Sequence, residues 1–303
     1  MNRIKGTHLY KELRYIYRSF LHYHRPFDYL YYRYVVGPKI RKLDHPIDRE
    51  PTTDEYSVHT LCNHEGLDLM LWALASWYLV AEQSGPVYIH EDGTFTEQDR
   101  TLVKKLLPHA TLIDRAWAQS QIDGWLSGYP AALDFRKHVE RYIYMLKFID
   151  PYFVSNSSAR LVLDIDMLWF KKPDEVFDLL LQKKYPFMIR SYRPMEYKFT
   201  DGSSLPPNLQ MANAGAIGYQ TAQYELARLE EFLQRNGTDS PPRLTDQAGY
   251  AYILSASPGF CYLPSDQYTI KSKPDPVARH YTGPRREEFW FEGVKKIYKK
   301  VLG

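Results

Sequence analysis

The most informative stretch of the chain reads Leu161-Val162-Leu163-Asp164-Ile165-Asp166-Met167-Leu168-Trp169-Phe170. Apolar residues on both sides predict one buried strand over residues 160–169, interrupted only by the two aspartates. Since residues i and i+2 of a strand share a face, both carboxylates are expected to project together. Adjacent carboxylates in apolar surroundings repel each other and are poorly solvated, and a divalent cation removes both penalties. Because hard oxygen ligands suit Mg²⁺ or Mn²⁺, this stretch predicts a metal site.

Strands and helices alternate along the chain around this stretch. Hydrophobic patterns and helix-start signals predict strands at residues 56–63, 86–90, 110–114 and 186–190, and helices at residues 67–83, 96–107, 134–153 and 174–182. Such alternation favours an α/β fold with a mostly parallel, Rossmann-like sheet flanked by helices. Ligands of such sheets bind at the carboxyl ends of the strands. Residues 191–207, rich in Pro and Ser, are predicted to form a long loop beside that edge.

Composition excludes several classes of protein. The chain has 303 residues, of which 44% are apolar and 25% charged, a globular balance. Its net charge of +3 is too small to argue for nucleic acid as a partner. The two cysteines, Cys62 and Cys261, rule out a disulfide scaffold and suit a reducing compartment. The longest apolar stretch, residues 69–81, is shorter than the ~20 residues of a membrane span, and no signal peptide is expected. The expected location is therefore cytoplasmic.

The charge is concentrated at the N-terminus. Residues 1–42 hold ten Lys or Arg against two acids, together with eight tyrosines. Tyr and Arg have apolar bodies and polar tips, which suits an interface. Three interpretations follow: packing on the protein's own catalytic domain or on a sister subunit, docking on an anionic membrane, or binding of nucleic acid. We divide the chain into a basic, Tyr-rich helical N-terminal arm (residues 1–50) and a catalytic domain (residues 51–303), and we predict reversible binding of the arm to anionic lipid.

The C-terminal residues 287–303 are also rich in basic and apolar side chains. Apolar residues recur there at spacings of three and four beside Lys295, Lys296, Lys299 and Lys300. The pattern predicts an amphipathic basic helix that either closes the catalytic core or contacts a membrane surface. Peripheral attachment at the inner face of a membrane is thus an expectation, and a homo-oligomer remains open.

Four segments together resemble the GT-A glycosyltransferases, and more narrowly glycosyltransferase family 8, the glycogenin and bacterial galactosyltransferase group. Their order and spacing, over residues 56–290, carry the resemblance. The segments are Asp164-x-Asp166 late in an alternating half, Asn213-x-Gly215 on a strand, Asp246-Gln247 at a helix start, and His280-x-x-Gly283 near the C-terminus. The resemblance implies a GT-A fold and the transfer of a hexose from a nucleotide sugar, expected to be UDP-linked, to a glycan or lipid-linked acceptor with retention.

The same resemblance assigns roles to residues. Asp164, Asp166 and His280 are expected to bind Mn²⁺ or Mg²⁺. The residues expected to contact the reacting sugar are Asn213, Asp246 and Gln247. Those expected to bind the rest of the donor are Asn63, Asp92, Lys147, Gly215, Gly283, Arg285 and Arg286. The family has Lys shortly after the glycine of its C-terminal segment, where this chain has Arg285 and Arg286, and either suits phosphate. Arg141 is an alternative to Lys147.

Two other functions remain open from the sequence. A family-32-like or inverting transferase would also carry Asp-x-Asp, but inversion needs a general base aimed at the acceptor hydroxyl. A non-catalytic protein that binds sugar or a membrane surface would need no intact site. The complete set of Asp164, Asp166 and His280 argues against that second alternative. The product's anomeric configuration separates a retaining from an inverting enzyme.

Overall fold

The computed structural model describes residues 8–139, 142–237 and 243–303. Its ten strands are β1 (Tyr56–Cys62), β2 (Val87–Glu91), β3 (Thr111–Ile113), β4 (Ala159–Leu163), β5 (Met167–Trp169), β6 (Phe187–Arg190), β7 (Ala212–Gln220), β8 (Cys261–Tyr262), β9 (Tyr268–Thr269) and β10 (Ala278–His280). Its α-helices are α1 (His8–Leu21), α2 (Pro26–Leu30), α3 (Leu67–Val80), α4 (Glu97–Leu106), α5 (Arg115–Trp125), α6 (Pro130–Lys137), α7 (Met145–Ile149), α8 (Asp174–Phe177), α9 (Leu226–Gln234), α10 (Thr245–Leu254), α11 (Arg286–Glu288) and α12 (Lys295–Leu302).

Seven strands form the large sheet, in the order β3-β2-β1-β4-β7-β6-β8. Pairing is parallel throughout except around β7, which is antiparallel to both β4 and β6. The central strand β4 is buried along its whole length, as expected where helices cover both faces of a sheet. The prediction of a mostly parallel sheet flanked by helices is therefore confirmed.

A small second sheet, in the order β5-β10-β9, explains one error of the sequence prediction. Residues 160–169 do not form one strand, because β4 belongs to the large sheet and β5 to the small one. The Asp164 amide still donates to the Gly215 carbonyl (3.0 Å) at the end of the large sheet. The Asp166 carbonyl already accepts from the Tyr281 amide (2.8 Å), just beyond β10. The two aspartates therefore lie in a turn between the sheets, and we call residues 164–166 the aspartate turn.

The predicted helix over residues 134–153 is also wrong. The segment holds the end of α6, the separate short helix α7 and a 3₁₀ turn at Asp150–Tyr152. Asp150 is fully buried and accepts two hydrogen bonds from the Arg136 guanidinium, at 2.7 and 2.8 Å. This ion pair joins α6 to the turn that follows α7, and Pro151, which has no amide hydrogen to donate, ends the α-helical bonding there. Arg141 lies outside the described residues.

The N-terminal arm packs on the rest of the protein. Tyr29, Val36 and Ile40 are fully or almost fully buried in the same hydrophobic core as α3 and the C-terminal helices. The Trp72 indole donates to the Gly37 carbonyl (3.0 Å), and a Cβ at Gly37 would lie only 2.8 Å from the Trp290 ring. None of the helices in the described part of the chain is both long and apolar enough to cross a bilayer.

Candidate active site

Three potential metal ligands meet where the two sheets adjoin. Asp164 and Asp166 come from the aspartate turn, and His280 comes from the last residue of β10. The His280 Nε2 atom lies 2.9 Å from Asp166 Oδ1 and 3.4 Å from Asp164 Oδ2. One ligand atom of each side chain lies within 4.8 Å of the others. Two carboxylates and an imidazole at this spacing fit a divalent cation such as Mn²⁺ or Mg²⁺.

A hydrogen-bond chain orients the imidazole. The Gly215 amide donates to Asn213 Oδ1 (3.1 Å), so the oxygen of the Asn213 side chain faces inward. The same oxygen lies 2.7 Å from His280 Nδ1, which must then carry a proton. Nε2 is consequently the ring atom that faces the two carboxylates, and it is the atom that would bind a metal ion. A Cβ at Gly215 would lie 2.5 Å from His280 Nδ1, so this glycine makes room for the ring.

Two cations neutralise the aspartates, Lys147, which is buried, and Arg286, which is partly exposed. Lys147, on α7, pairs with Asp164 and lies 3.3 Å from Asp246, and Arg286 donates to Asp166 at 2.6 Å. Burial favours a lower pKa for Lys147, but the charges of Asp164 and Asp246 outweigh burial and raise it. Burial favours a higher pKa for Asp166, but Arg286 and His280 outweigh burial and hold that pKa well below its usual range. Asp166 is therefore ionised at neutral pH and able to bind a cation.

Buried polar side chains extend the site away from the aspartate turn. Asp246 and Gln247 lie in the first turn of α10, as the resemblance predicted for a helix start. The Gln247 Oε1 atom accepts from the Ala214 amide (3.2 Å), and its Nε2 lies 3.7 Å from the Met195 sulfur. The predicted loop over residues 191–207 thus reaches the site. Asn213, Asp246 and Gln247 together form a row of hydrogen-bonding groups of the kind that binds sugar hydroxyls.

A cleft of about 120 Å³ opens on the other side of the aspartate turn. The catalytic domain contributes Asn63, Ile165 and Arg286 to its lining, and the N-terminal arm contributes Tyr15 and Arg33. Sequence reasoning missed the arm's part in this cleft. The Tyr- and Arg-rich composition suited packing on the catalytic domain as well as docking on a membrane, but composition does not show which side chains face the cleft.

The remaining predicted residues are less closely connected to the site. Asp92 follows β2, and its carboxylate accepts from the amide (2.9 Å) and hydroxyl (2.6 Å) of Thr94 in a surface turn. Among the described residues, no contact joins Asp92 to the aspartate turn. A Cβ at Gly283 would meet nothing within 4 Å. Arg285 turns toward Glu288 (3.8 Å) and the Tyr192 ring (5.5 Å), so Arg286 rather than Arg285 reaches the aspartates.

The backbone is similar to those of solved glycosyltransferases. Mouse xyloside xylosyltransferase 1 matches with a TM-score of 0.51 at 14% identity, over 82% of this chain and 93% of that one. The galactosyltransferase LgtC, solved with donor and acceptor sugar analogs, matches with a TM-score of 0.52 at 14% identity, over 82% of this chain and 95% of that one. No protein-family model matches the sequence, and no curated protein matches it significantly. The structural similarity shows the fold: the chain has the GT-A glycosyltransferase fold, as the resemblance predicted.

Proposed function

We propose that this protein is a metal-dependent glycosyltransferase that moves a hexose from a nucleotide sugar, expected to be a UDP-sugar, to a glycan or lipid-linked acceptor. The observation that carries the proposal is the geometry of Asp164, Asp166 and His280, in which Nε2 of the imidazole faces both carboxylates. The GT-A fold and the similarity to a xylosyltransferase and a galactosyltransferase support glycosyl transfer as the reaction class.

Different residues of the protein are proposed to bind different parts of the donor. A divalent cation held by the three ligands would neutralise the negative charge that grows on the departing diphosphate. Arg286 has a forked guanidinium beside the metal ligands, which suits a phosphate oxygen once it is released from Asp166. Lys147 keeps its proton and holds Asp164 and Asp246 in position.

The sugar and the nucleoside are proposed to lie on opposite sides of the aspartate turn. Asn213, Asp246 and Gln247 offer amide and carboxylate partners for the hydroxyls of the hexose. The cleft lined by Asn63 and Ile165 adjoins the carboxyl end of β1, where sheets of this type bind nucleotides. Retention at the anomeric carbon is the outcome that the resemblance to family 8 implies.

A donor-hydrolysis screen tests the proposal. The full-length protein is incubated with Mn²⁺ and a panel of sugar nucleotides, and released nucleoside diphosphate is measured with and without EDTA. We expect release from at least one donor, its loss with EDTA, and its near-complete loss in Asp164→Asn and Asp166→Asn while both remain folded by circular dichroism. The exposed Asp54→Asn serves as the matched control. Activity that survives EDTA and both substitutions would refute the metal role. NMR of the product's anomeric configuration then distinguishes retention from inversion.

A further inference from the structure

We propose that the outer face of the N-terminal arm docks on an anionic lipid surface. In the described part of the chain, fourteen large hydrophobic side chains are exposed, and ten of them lie between Tyr10 and Val35. A concentration of this kind on one segment is characteristic of an interaction surface rather than of chance exposure. The packing of the arm's other face on the catalytic domain leaves this outer face available.

Helix α1 divides its residues between two sides. Leu13, Tyr17 and Phe20 are 56%, 65% and 61% exposed, and their spacing of four and three puts them in one stripe along the helix. Tyr15 lines the cleft, and Ser19 is fully buried, so the opposite side of α1 faces the protein. The helix therefore presents an apolar stripe outward while it is anchored inward.

The stripe continues beyond α1. Phe27, at the start of α2, is 84% exposed, and Leu21, Leu30, Tyr31, Tyr34 and Val35 are also exposed. Tyrosine and phenylalanine rings of this kind enter the boundary between lipid headgroups and acyl chains. We call this exposed set of apolar and aromatic side chains, together with Leu13, Tyr17 and Phe20, the outer strip.

Exposed cations accompany the outer strip on the same segment and on α12. The arm contributes Arg14, Arg25, Lys39 and Lys42, all exposed. Helix α12 adds four exposed lysines and lies beside the arm, because Lys295 pairs with Asp28 (3.0 Å) and the Tyr298 and Tyr32 ring centroids lie 5.6 Å apart. An anionic membrane attracts such a set, and each basic residue near the surface strengthens the attraction.

This charge also decides between a membrane and a second copy of the chain. A two-fold interface pairs a surface with itself, so a dimer through the outer strip would bring the same cations face to face. A surface of phosphatidylserine offers the opposite charge together with an apolar layer. The outer strip therefore fits anionic lipid better than a second copy.

Docking would bring the candidate active site close to the lipid. Tyr15 lines the cleft from one side of α1, and Tyr17 is exposed on the other. The width of a helix with its side chains, about 10 Å, therefore separates the cleft from the docked surface. This step rests on the proposed function: if it holds, the acceptor is one presented at a membrane, such as a lipid-linked sugar.

Sedimentation with vesicles tests the docking surface. The full-length protein is mixed with vesicles of phosphatidylcholine alone, or with phosphatidylserine added, at low and high salt. We expect pelleting only with phosphatidylserine, and a marked decrease at high salt. Deletion of the arm is unsuitable as a test, because it would open the core around Tyr29 and Val36.

Substitutions on the outer strip provide the specific test. Leu13→Ser/Tyr17→Ser/Phe20→Ser should weaken binding by at least about tenfold, since it removes three insertable side chains. The control replaces exposed residues elsewhere, as Trp117→Ser/Tyr185→Ser, and should bind like the wild type. Should the triple variant fail to fold by circular dichroism, Arg14→Gln/Arg25→Gln supplies a second test and should reduce binding and its salt dependence.

Three outcomes would overturn the docking proposal. The first is wild-type protein that does not bind phosphatidylserine vesicles, and the second is an outer-strip variant that binds as well as its control. A wild-type dimer that the outer-strip variant converts to monomer, without vesicle binding, would assign the surface to a second copy. Donor hydrolysis, measured on the same samples without vesicles, reports separately on the proposed function. Vesicle binding without any donor hydrolysis would support the docking proposal and refute the proposed glycosyltransferase activity.

Discussion

Gly215→Ala should damage metal binding through a single methyl group. The new Cβ would lie 2.5 Å from His280 Nδ1 and 2.7 Å from its Cγ, where ordinary contacts begin at 3.4 Å. The imidazole must therefore move by about 0.9 Å, or the strand must yield. The hydrogen bonds of the ring to Asn213 (2.7 Å) and Asp166 (2.9 Å) leave no room for that movement, while metal sites tolerate only ~0.2 Å.

Overpacking of this kind costs ~1–3 kcal/mol of stability, and misplacement of a ligand costs ~10–100-fold in metal affinity. Calorimetric titration with Mn²⁺ and thermal unfolding measure the two effects on the same sample. Gly218→Ala is the matched control, because its Cβ would overlap the Phe187 ring, at another place along the same strand. It should lose stability and keep Mn²⁺ affinity.

A double variant makes the reasoning sharper. Gly215→Ala/His280→Ala should regain stability relative to Gly215→Ala, since the group that the methyl meets has been removed. The double variant should not regain Mn²⁺ affinity. Unchanged Mn²⁺ affinity in folded Gly215→Ala, or equal losses of affinity in Gly215→Ala and Gly218→Ala, would refute the claim that this glycine makes room for a metal-binding imidazole.

Three further predictions concern charge. Arg286→Met should raise affinity for Mn²⁺ alone several-fold, because the guanidinium no longer competes with the metal for Asp166. The same variant should lower affinity for UDP. Titrations of Arg286→Met that match those of Arg285→Met would contradict both expectations. Burial raises the pKa of Glu287 from 4.5 to about 7, so between these pH values the folded state binds more protons than the unfolded state, and the free energy of unfolding falls as pH rises. Urea unfolding at pH 4.5 and pH 7 measures this loss, which is at most ~3 kcal/mol for one group. The loss should be smaller in Glu287→Gln. Burial lowers the pKa of His90 from 6.5 to about 3, so the unfolded state binds more protons and the free energy of unfolding falls as pH drops below 6.5. In urea unfolding, His90→Asn should lose less stability than the wild type on acidification. An equal loss in both proteins would contradict this role of His90.

Sequence patterns predicted the large sheet because alternation of strands and helices is a local signal. The sequence also predicted that Asp164, Asp166 and His280 lie close together, because the order of the motifs resembles that of a known family. The crossing between two sheets at the aspartate turn was not predictable from hydropathy, because β4 and β5 are both fully buried and only the aspartate turn separates their apolar residues.

Long-range packing accounts for the other omissions. Asn213 and His280 are 67 residues apart, and only the fold shows that one orients the other. The arm's two faces are equally rich in tyrosine, so composition could not tell that Tyr15 turns toward the cleft while Tyr17 stays exposed. Burial of each ring depends on partners supplied by distant elements.

The aspartate turn makes the protein's two sheets share one ligand site. Asp164 is tied by its amide to the large sheet, whereas Asp166 and His280 are tied to β10 of the small one. A cation bound by all three therefore works as a tether, and its binding free energy adds to the cohesion between the sheets by linkage, ~2.7 kcal/mol at a concentration 100 times its dissociation constant. The small sheet should be stabilised most by a bound cation, because its strands have only three, three and two residues. Amide hydrogen exchange in these strands should slow on addition of Mn²⁺, and the small sheet would serve as an internal reporter of whether the site is filled.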